Sequence, residues 1–273
     1  LLRTALRAVL NKKSGSISAQ SAVRRRLRSE DPEEPGLPDE FHDLQPQLLS
    51  ATLRLNVPPD QYFTGTDLNL YYDVWHPLWH KRPDWFLVVG VPRLYEGRDL
   101  RSSYVIWQEG ITPFVVVELL SPGTEKEDLG SFVDTETPTT ATPAAPDRAT
   151  AANGHDTPAT PPRKWEVYER ILRVPYYLVY SRYTNQLRGF QLVGGRYQEQ
   201  PLNATNPRIW IPELKLGLSL WEGTYDRTLR QWLHWCDAGG NWVPTPEEQA
   251  AQEQQRADRL AERLRQLGVN DDV

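Results

Sequence analysis

Residues Pro83–Ser121 read PDWFLVVGVPRLYEGRDLRSSYVIWQEGITPFVVVELLS, and two short apolar runs dominate them, Phe86–Val91 and Phe114–Leu120. Both are β-branched or aromatic and bounded by Pro and Gly, the pattern of buried strands. Each run carries a carboxylate where one is costly. Asp84 stands at the mouth of the first. Glu118 lies inside the second, after three valines and before two leucines. A charge buried in such a strand needs a base, an ion pair or a metal. Period-two alternation places Glu118 on the face of Val116 and Leu120. If the two strands are neighbours, the two carboxylates meet at one point.

Around this stretch the 273 residues suit one domain with appendages. The net charge of −5 argues against a generally basic nucleic-acid binder but leaves room for a local basic cleft. The single cysteine, Cys236, excludes an internal disulfide and fits a reducing compartment, hence a cytoplasmic location. No apolar run approaches a membrane span. The chain opens on Leu1 and contains no methionine, so its natural start is expected elsewhere.

Residues 1–28 carry eight Lys and Arg and no acid, and 29–40 (SEDPEEPGLPDE) read as a linker. Together 1–40 are expected to be a disordered basic extension; a transit peptide and a DNA-binding arm share that composition. Phe41–Leu53 has helical spacing, weakened by Pro46. Asp67–Asp73 alternates like a half-buried strand. His76 and His80 flank Pro77 in a loop and, with no Cys or further His nearby, read as loop residues rather than zinc ligands.

Thr, Pro and Ala make up 21 of the 32 residues from 131 to 162, an insertion predicted to be disordered. Structure resumes with KWEVYERIL, an amphipathic helix with Trp165, Tyr168, Ile171 and Leu172 predicted inward. Strands follow at Tyr176–Tyr180, Gln186–Val193, Arg196–Gln200 and Arg208–Ile211, then a helix over Arg227–Trp235. Thr245 is a good N-cap with Pro246 behind it, opening a helix to Leu267. These elements divide the chain into the extension, a domain over 41–243 and a C-terminal helix over 244–273. A homodimer could form through that helix or a sheet edge.

Pro83-Asp84, then Val116–Pro122 (VVELLSP), Asp128, Lys164-x-x-x-Tyr168 and Val174-Pro175-Tyr176-Tyr177 resemble, in this order, the Uma family of restriction-endonuclease domains, within the PD-(D/E)XK nuclease superfamily. PD alone is no motif; the order and context carry the likeness, over roughly residues 41–222. It implies an α/β restriction endonuclease-like fold, a mixed central sheet flanked by helices. It also implies a magnesium-dependent endonuclease acting on DNA, with Asp84, Glu118 and Lys164 as catalytic residues and Asp84 and Glu118 as metal ligands. Magnesium takes a few carboxylate oxygens plus water, and a lysine would orient or deprotonate the attacking water or offset phosphate charge.

This chain departs from the superfamily pattern in two places. Leu120 stands where the motif has its lysine, and the insertion separates Asp128 from Lys164. The resemblance nominates Lys164, on the following helix, as the replacement, with Lys126 second and Asp67, Asp73 and the Leu119 carbonyl as further ligands. The competing readings are a strand-entry carboxylate for Asp84, an ion pair with a buried Arg or Lys for Glu118 and an exposed first-turn residue for Lys164. Leu120 also keeps open a degenerate nuclease fold that only binds nucleic acid or protein.

Overall fold

The structure, a computed structural model, describes residues 39–133, 160–203 and 205–266. The basic extension to residue 38, most of the insertion and the expected helix stop at Leu267 lie outside them.

Alternation decides the centre of the molecule. In β6 (Val115–Leu119) every residue is buried. Val115, Val117 and Leu119 enter one core, while Val116 points into a second on the opposite face. A strand buried on both faces must lie in mid-sheet. Six strands accordingly run β1 (Tyr62–Gly65), β4 (Trp85–Val89), β6, β7 (Tyr176–Ser181), β8 (Gln186–Val193) and β9 (Arg196–Glu199). The β6–β7 pair is parallel and the others are antiparallel, so the sheet is mixed, as the resemblance implies.

The first core lies under α1 (Glu40–Thr52) and a second sheet of β10 (Arg208–Ile211), β11 (Leu216–Tyr225) and β12 (Thr228–Cys236). Asp39 caps α1, accepting from the amides of Phe41 at 2.9 Å and His42 at 3.2 Å. The helix runs on through Pro46, which is buried. Gln45 ties α1 to β12, donating to the Leu233 carbonyl at 2.7 Å and accepting from its amide at 2.9 Å.

The second core is closed by a small sheet of β3 (His80–Lys81), β2 (Leu70–Tyr71) and β5 (Tyr104–Val105), and by short helices. Of the expected Asp67–Asp73 strand only Leu70–Tyr71 pairs. Asp67 has a left-handed φ of 49°, which a strand excludes. A further short helix, α2 (Ile106–Glu109), follows β5, and α3 (Glu125–Asp128) follows β6. From the insertion's start, Phe132 packs on Trp165 and Phe190 with ring centroids 5.2 Å away in each case.

Two further expectations fail. The helix at KWEVYERIL is a single turn, α4 (Lys164–Glu166), that widens into a π-turn over Val167–Ile171. The wider turn advances less per residue, so Ile171 falls short of the inward face and is exposed. Trp165, Tyr168 and Leu172 do point inward. Arg227–Trp235 is not a helix: Thr228–Cys236 pairs along its whole length with Gly217–Tyr225. Asp226 and Arg227 turn that hairpin with φ of 41° and 60°, the left-handed pair of a two-residue type I′ turn.

Thr245 caps the last helix, α5 (Pro246–Gln266), in a reciprocal box: its Oγ1 accepts from the Glu248 amide at 3.2 Å, and Glu248 accepts from the Thr245 amide at 2.9 Å. No residue of α5 is buried, and none of the helices is long and apolar enough to cross a membrane, among the described residues.

Candidate active site

The antiparallel register of β4 and β6 pairs Trp85 with Val117 and so carries Asp84 to the level of Glu118. The two acids are joined through the backbone. Asp84 Oδ2 accepts from the Leu119 amide at 2.6 Å, and Glu118 Oε2 lies 3.4 Å from the Asp84 amide. Both stand at the carboxyl end of β6, beside the same end of its parallel neighbour β7.

Glu118 is fully buried. Its Oε2 receives the Lys164 ammonium at 2.9 Å, and its Oε1 accepts from the Tyr168 hydroxyl at 2.8 Å. Lys164 also lies 3.4 Å from Asp128 Oδ1, another buried carboxylate at the end of α3. No aligned hydrogen bond reaches that oxygen. The single turn of α4 positions the lysine: Glu127 accepts from its backbone amide at 2.9 Å and from Lys81 Nζ at 2.7 Å.

These contacts set the charges. Burial pushes Glu118 well above the ordinary 4.5; Lys164 opposes this, while Asp84 and Asp128 add to it. Asp128 is also raised, by burial first, against the pull of Lys164. Burial alone would lower Lys164, but Asp128, Glu118 and Asp84 together outweigh it and hold the ammonium well above 10.5. Three carboxyl groups thus crowd around one cation, and burial and their mutual repulsion favour the protonated form of the two buried ones.

The cluster opens on a cavity of about 320 Å³ lined by Asp39, His42, Asp67, Arg82, Asp84 and Lys164 among others. A larger cavity of about 500 Å³ lies beyond Trp165, but its buried acid, Glu169, is already satisfied by the Tyr197 amide at 2.9 Å and Arg196 at 3.2 Å. The smaller one therefore carries the unspent chemistry.

The structure brings Asp84, Glu118 and Lys164 together. Asp67 lines the cavity but is ion-paired to Arg82. Asp73 serves its own turn, bonded to the Trp75 amide at 2.9 Å and His76 Nδ1 at 2.7 Å. Lys126 is exposed on α3. The Leu119 carbonyl faces His42 Nε2 at 3.1 Å. Leu120 packs partly buried against the second core. Sequence reasoning gave no role to Asp128 or His42 and read Tyr168 as a core residue, which it is, with its hydroxyl also bonded to Glu118. Asp128 and Tyr168 lay within the quoted motif, three residues after Glu125 and four after Lys164. His42, whose Nδ1 meets Asp39 at 2.9 Å, left no signal.

Among the described residues no cluster of three or more His, Cys, Asp or Glu is shaped to hold a metal ion. The donors nevertheless suit a hard, partly hydrated cation, which needs few protein ligands. They are carboxylate oxygens, with one buried Asp128 oxygen left unbonded.

No curated protein matches the chain. A family model described as Uma2, putative restriction endonuclease, matches residues 19–223, which is 205 of the 273 residues. The chain, with its mixed sheet and acids at the carboxyl end of β6, belongs to that Uma2 family.

Proposed function

We propose that the protein is a divalent-metal-dependent endonuclease that hydrolyses phosphodiester bonds of DNA. The observation that carries this reading is the convergence of Asp84, Glu118 and Lys164 at one end of the mixed sheet, with Asp84 and Lys164 lining a cavity open to solvent and Glu118 buried behind them. Family membership supports the same reaction class.

Asp84 and Glu118 would hold the cation, with magnesium the natural choice for carboxylate ligands and a cytoplasmic location in keeping with it. Bound there, the cation would supply a more acidic water and neutralise phosphate charge. The chain's own residues set the geometry. Leu119 fixes one oxygen of Asp84, and Tyr168 fixes one of Glu118, so both carboxylates are oriented before substrate arrives. Lys164 is kept protonated by its three acidic neighbours. It is placed to act as a cation and hydrogen-bond donor towards the scissile phosphate or the attacking water, or to take that water's proton once a bound cation offsets the charge of its acidic neighbours. It delivers the charge that Leu120 cannot, from a different backbone position.

The test is cleavage of supercoiled plasmid and linear duplex with magnesium, with chelator, and with Asp84→Asn. The amide keeps an oxygen to accept from the Leu119 amide, so the fold should stay within about 1 kcal/mol of the parent. Cleavage should require the metal and vanish in the variant. Metal-independent cleavage, or unchanged cleavage by Asp84→Asn, would overturn the assignment. Salt-dependent DNA binding without cleavage would select a binding module.

A further inference from the structure

Two guanidinium groups gather beside the acidic cluster without belonging to it. Arg182 directly follows β7, at the carboxyl end of the strand parallel to β6, where open α/β sheets bind ligands. Arg230 comes from β12. Both stack around the ring of Phe41, at the entry of α1: Arg230 is 4.2 Å from the centroid and Arg182 is 5.6 Å. Like charges collected at one ring repel each other, and part burial sharpens the cost. Burial lowers Arg230 below its ordinary value; Tyr180 and Asp39 oppose this and Arg182 reinforces it.

Their polar capacity is only partly used. Arg182 is ion-paired to Asp39, yet its buried Nε has no hydrogen-bond partner. Arg230 is in no ion pair among the described residues, though the Asp39 carboxylate acts on it at longer range; its Nε reaches the Gln231 carbonyl at 3.4 Å, and its guanidinium also lies 5.3 Å from the centre of the Trp232 ring. The pair is joined to the acidic cluster by a continuous chain of contacts. Asp39, held by Arg182, also holds His42 at 2.9 Å. His42 meets the Leu119 carbonyl at 3.1 Å, and the Leu119 amide donates to Asp84 at 2.6 Å. Asp39 and His42 line the same cavity as Asp84 and Lys164.

We infer that Arg182 and Arg230 form a subsite for a backbone phosphate of the DNA, flanking the phosphate presented to Asp84, Glu118 and Lys164. The inference rests on the nuclease reading and deepens it. A nucleic-acid strand brings a second anion at a fixed spacing from the first, and the guanidinium fork suits phosphate oxygens. Such a contact sets register and carries no base information. A bound phosphate would add to the Asp39 carboxylate in offsetting the repulsion between the two arginines.

The experiment uses the full chain with calcium in place of magnesium, to hold cleavage off. Fluorescence anisotropy follows binding of several short duplexes of different sequence across a salt series. Arg230→Gln should weaken binding to every duplex alike and lower the slope of log affinity against log salt by about 1. Arg230→Lys should restore the slope. Arg230→Met, which keeps the stem over Phe41, gives the same reading should the amide disturb packing. An unchanged slope in a parent that binds and cleaves DNA overturns the subsite and leaves the nuclease reading intact. Loss confined to one sequence marks a base contact and also overturns it. A parent that neither binds nor cleaves any of the DNAs removes both.

Discussion

Removing the Lys164 charge should expose how much negative charge the site holds. In Lys164→Met the ammonium 2.9 Å from Glu118 and 3.4 Å from Asp128 is gone, and both carboxylates stay buried. They must then remain charged without a partner or take up protons. From ordinary values of 4.5 for Glu118 and 3.8 for Asp128, protonation at pH 7 costs about 3 and about 4 kcal/mol. Breaking a buried pair typically costs about 3–5 kcal/mol. We expect a loss in that range at pH 7. The sign of its pH dependence follows from the raised folded-state values. A carboxyl raised on folding contributes fully below its unfolded value and loses ground as pH rises. The penalty should therefore be small near pH 4.5 and grow by up to about 1.4 kcal/mol per unit for each carboxyl, over the pH range in which that carboxyl is ionised in the parent and protonated in the variant. Urea unfolding of parent and variant with chelator, from pH 4.5 to 8, measures it. Cleavage at saturating metal should drop about 10²–10³-fold. A variant within about 1 kcal/mol of the parent at every pH would show that the ammonium does not compensate these acids, and would refute the reasoning.

Three further outcomes are expected. Tyr168→Phe removes the 2.8 Å bond to Glu118 and leaves a buried oxygen short of a donor, costing about 1–3 kcal/mol by urea unfolding and lowering cleavage with it. Replacing Asp226-Arg227 by Asn-Gly puts residues that tolerate positive φ into the type I′ turn and should raise stability by about 1 kcal/mol, read as a higher melting temperature. His234 is held below the ordinary 6.5 by burial, so it resists protonation in the fold. Its contribution is complete above about pH 6.5 and is lost as pH falls towards the folded value; His234→Gln should flatten that part of the stability curve.

Much of the central sheet was legible because its causes are local. Three valines before Glu118 and two leucines after it demand burial, and a buried carboxylate demands a partner. The caps at Asp39 and Thr245 likewise act within a few residues of themselves, though only the second was read. Arg227–Trp235 was misread because its leucines and tryptophans suit a helical face as well as a strand. What settles it is a partner strand closed by two left-handed residues that are neither Gly nor Asn. Ile171 was misplaced because a π-turn changes the period within one segment.

The sequence by itself determined that Asp84 and Glu118 sit at strand positions hostile to charge, since the neighbouring residues set that cost. The family resemblance, not the residue pattern alone, nominated Lys164 in the segment after the insertion. Only the tertiary structure decided that Glu118 and Asp128 share that lysine, that Tyr168 and Leu119 hold the acids' oxygens, that His42 lines the cavity of Asp84 and Lys164, and that Arg182 and Arg230 stack on Phe41. Those contacts join residues 35 to 80 or more positions apart. Periodicity reports which face a residue takes. Strand order and register alone report what that face meets.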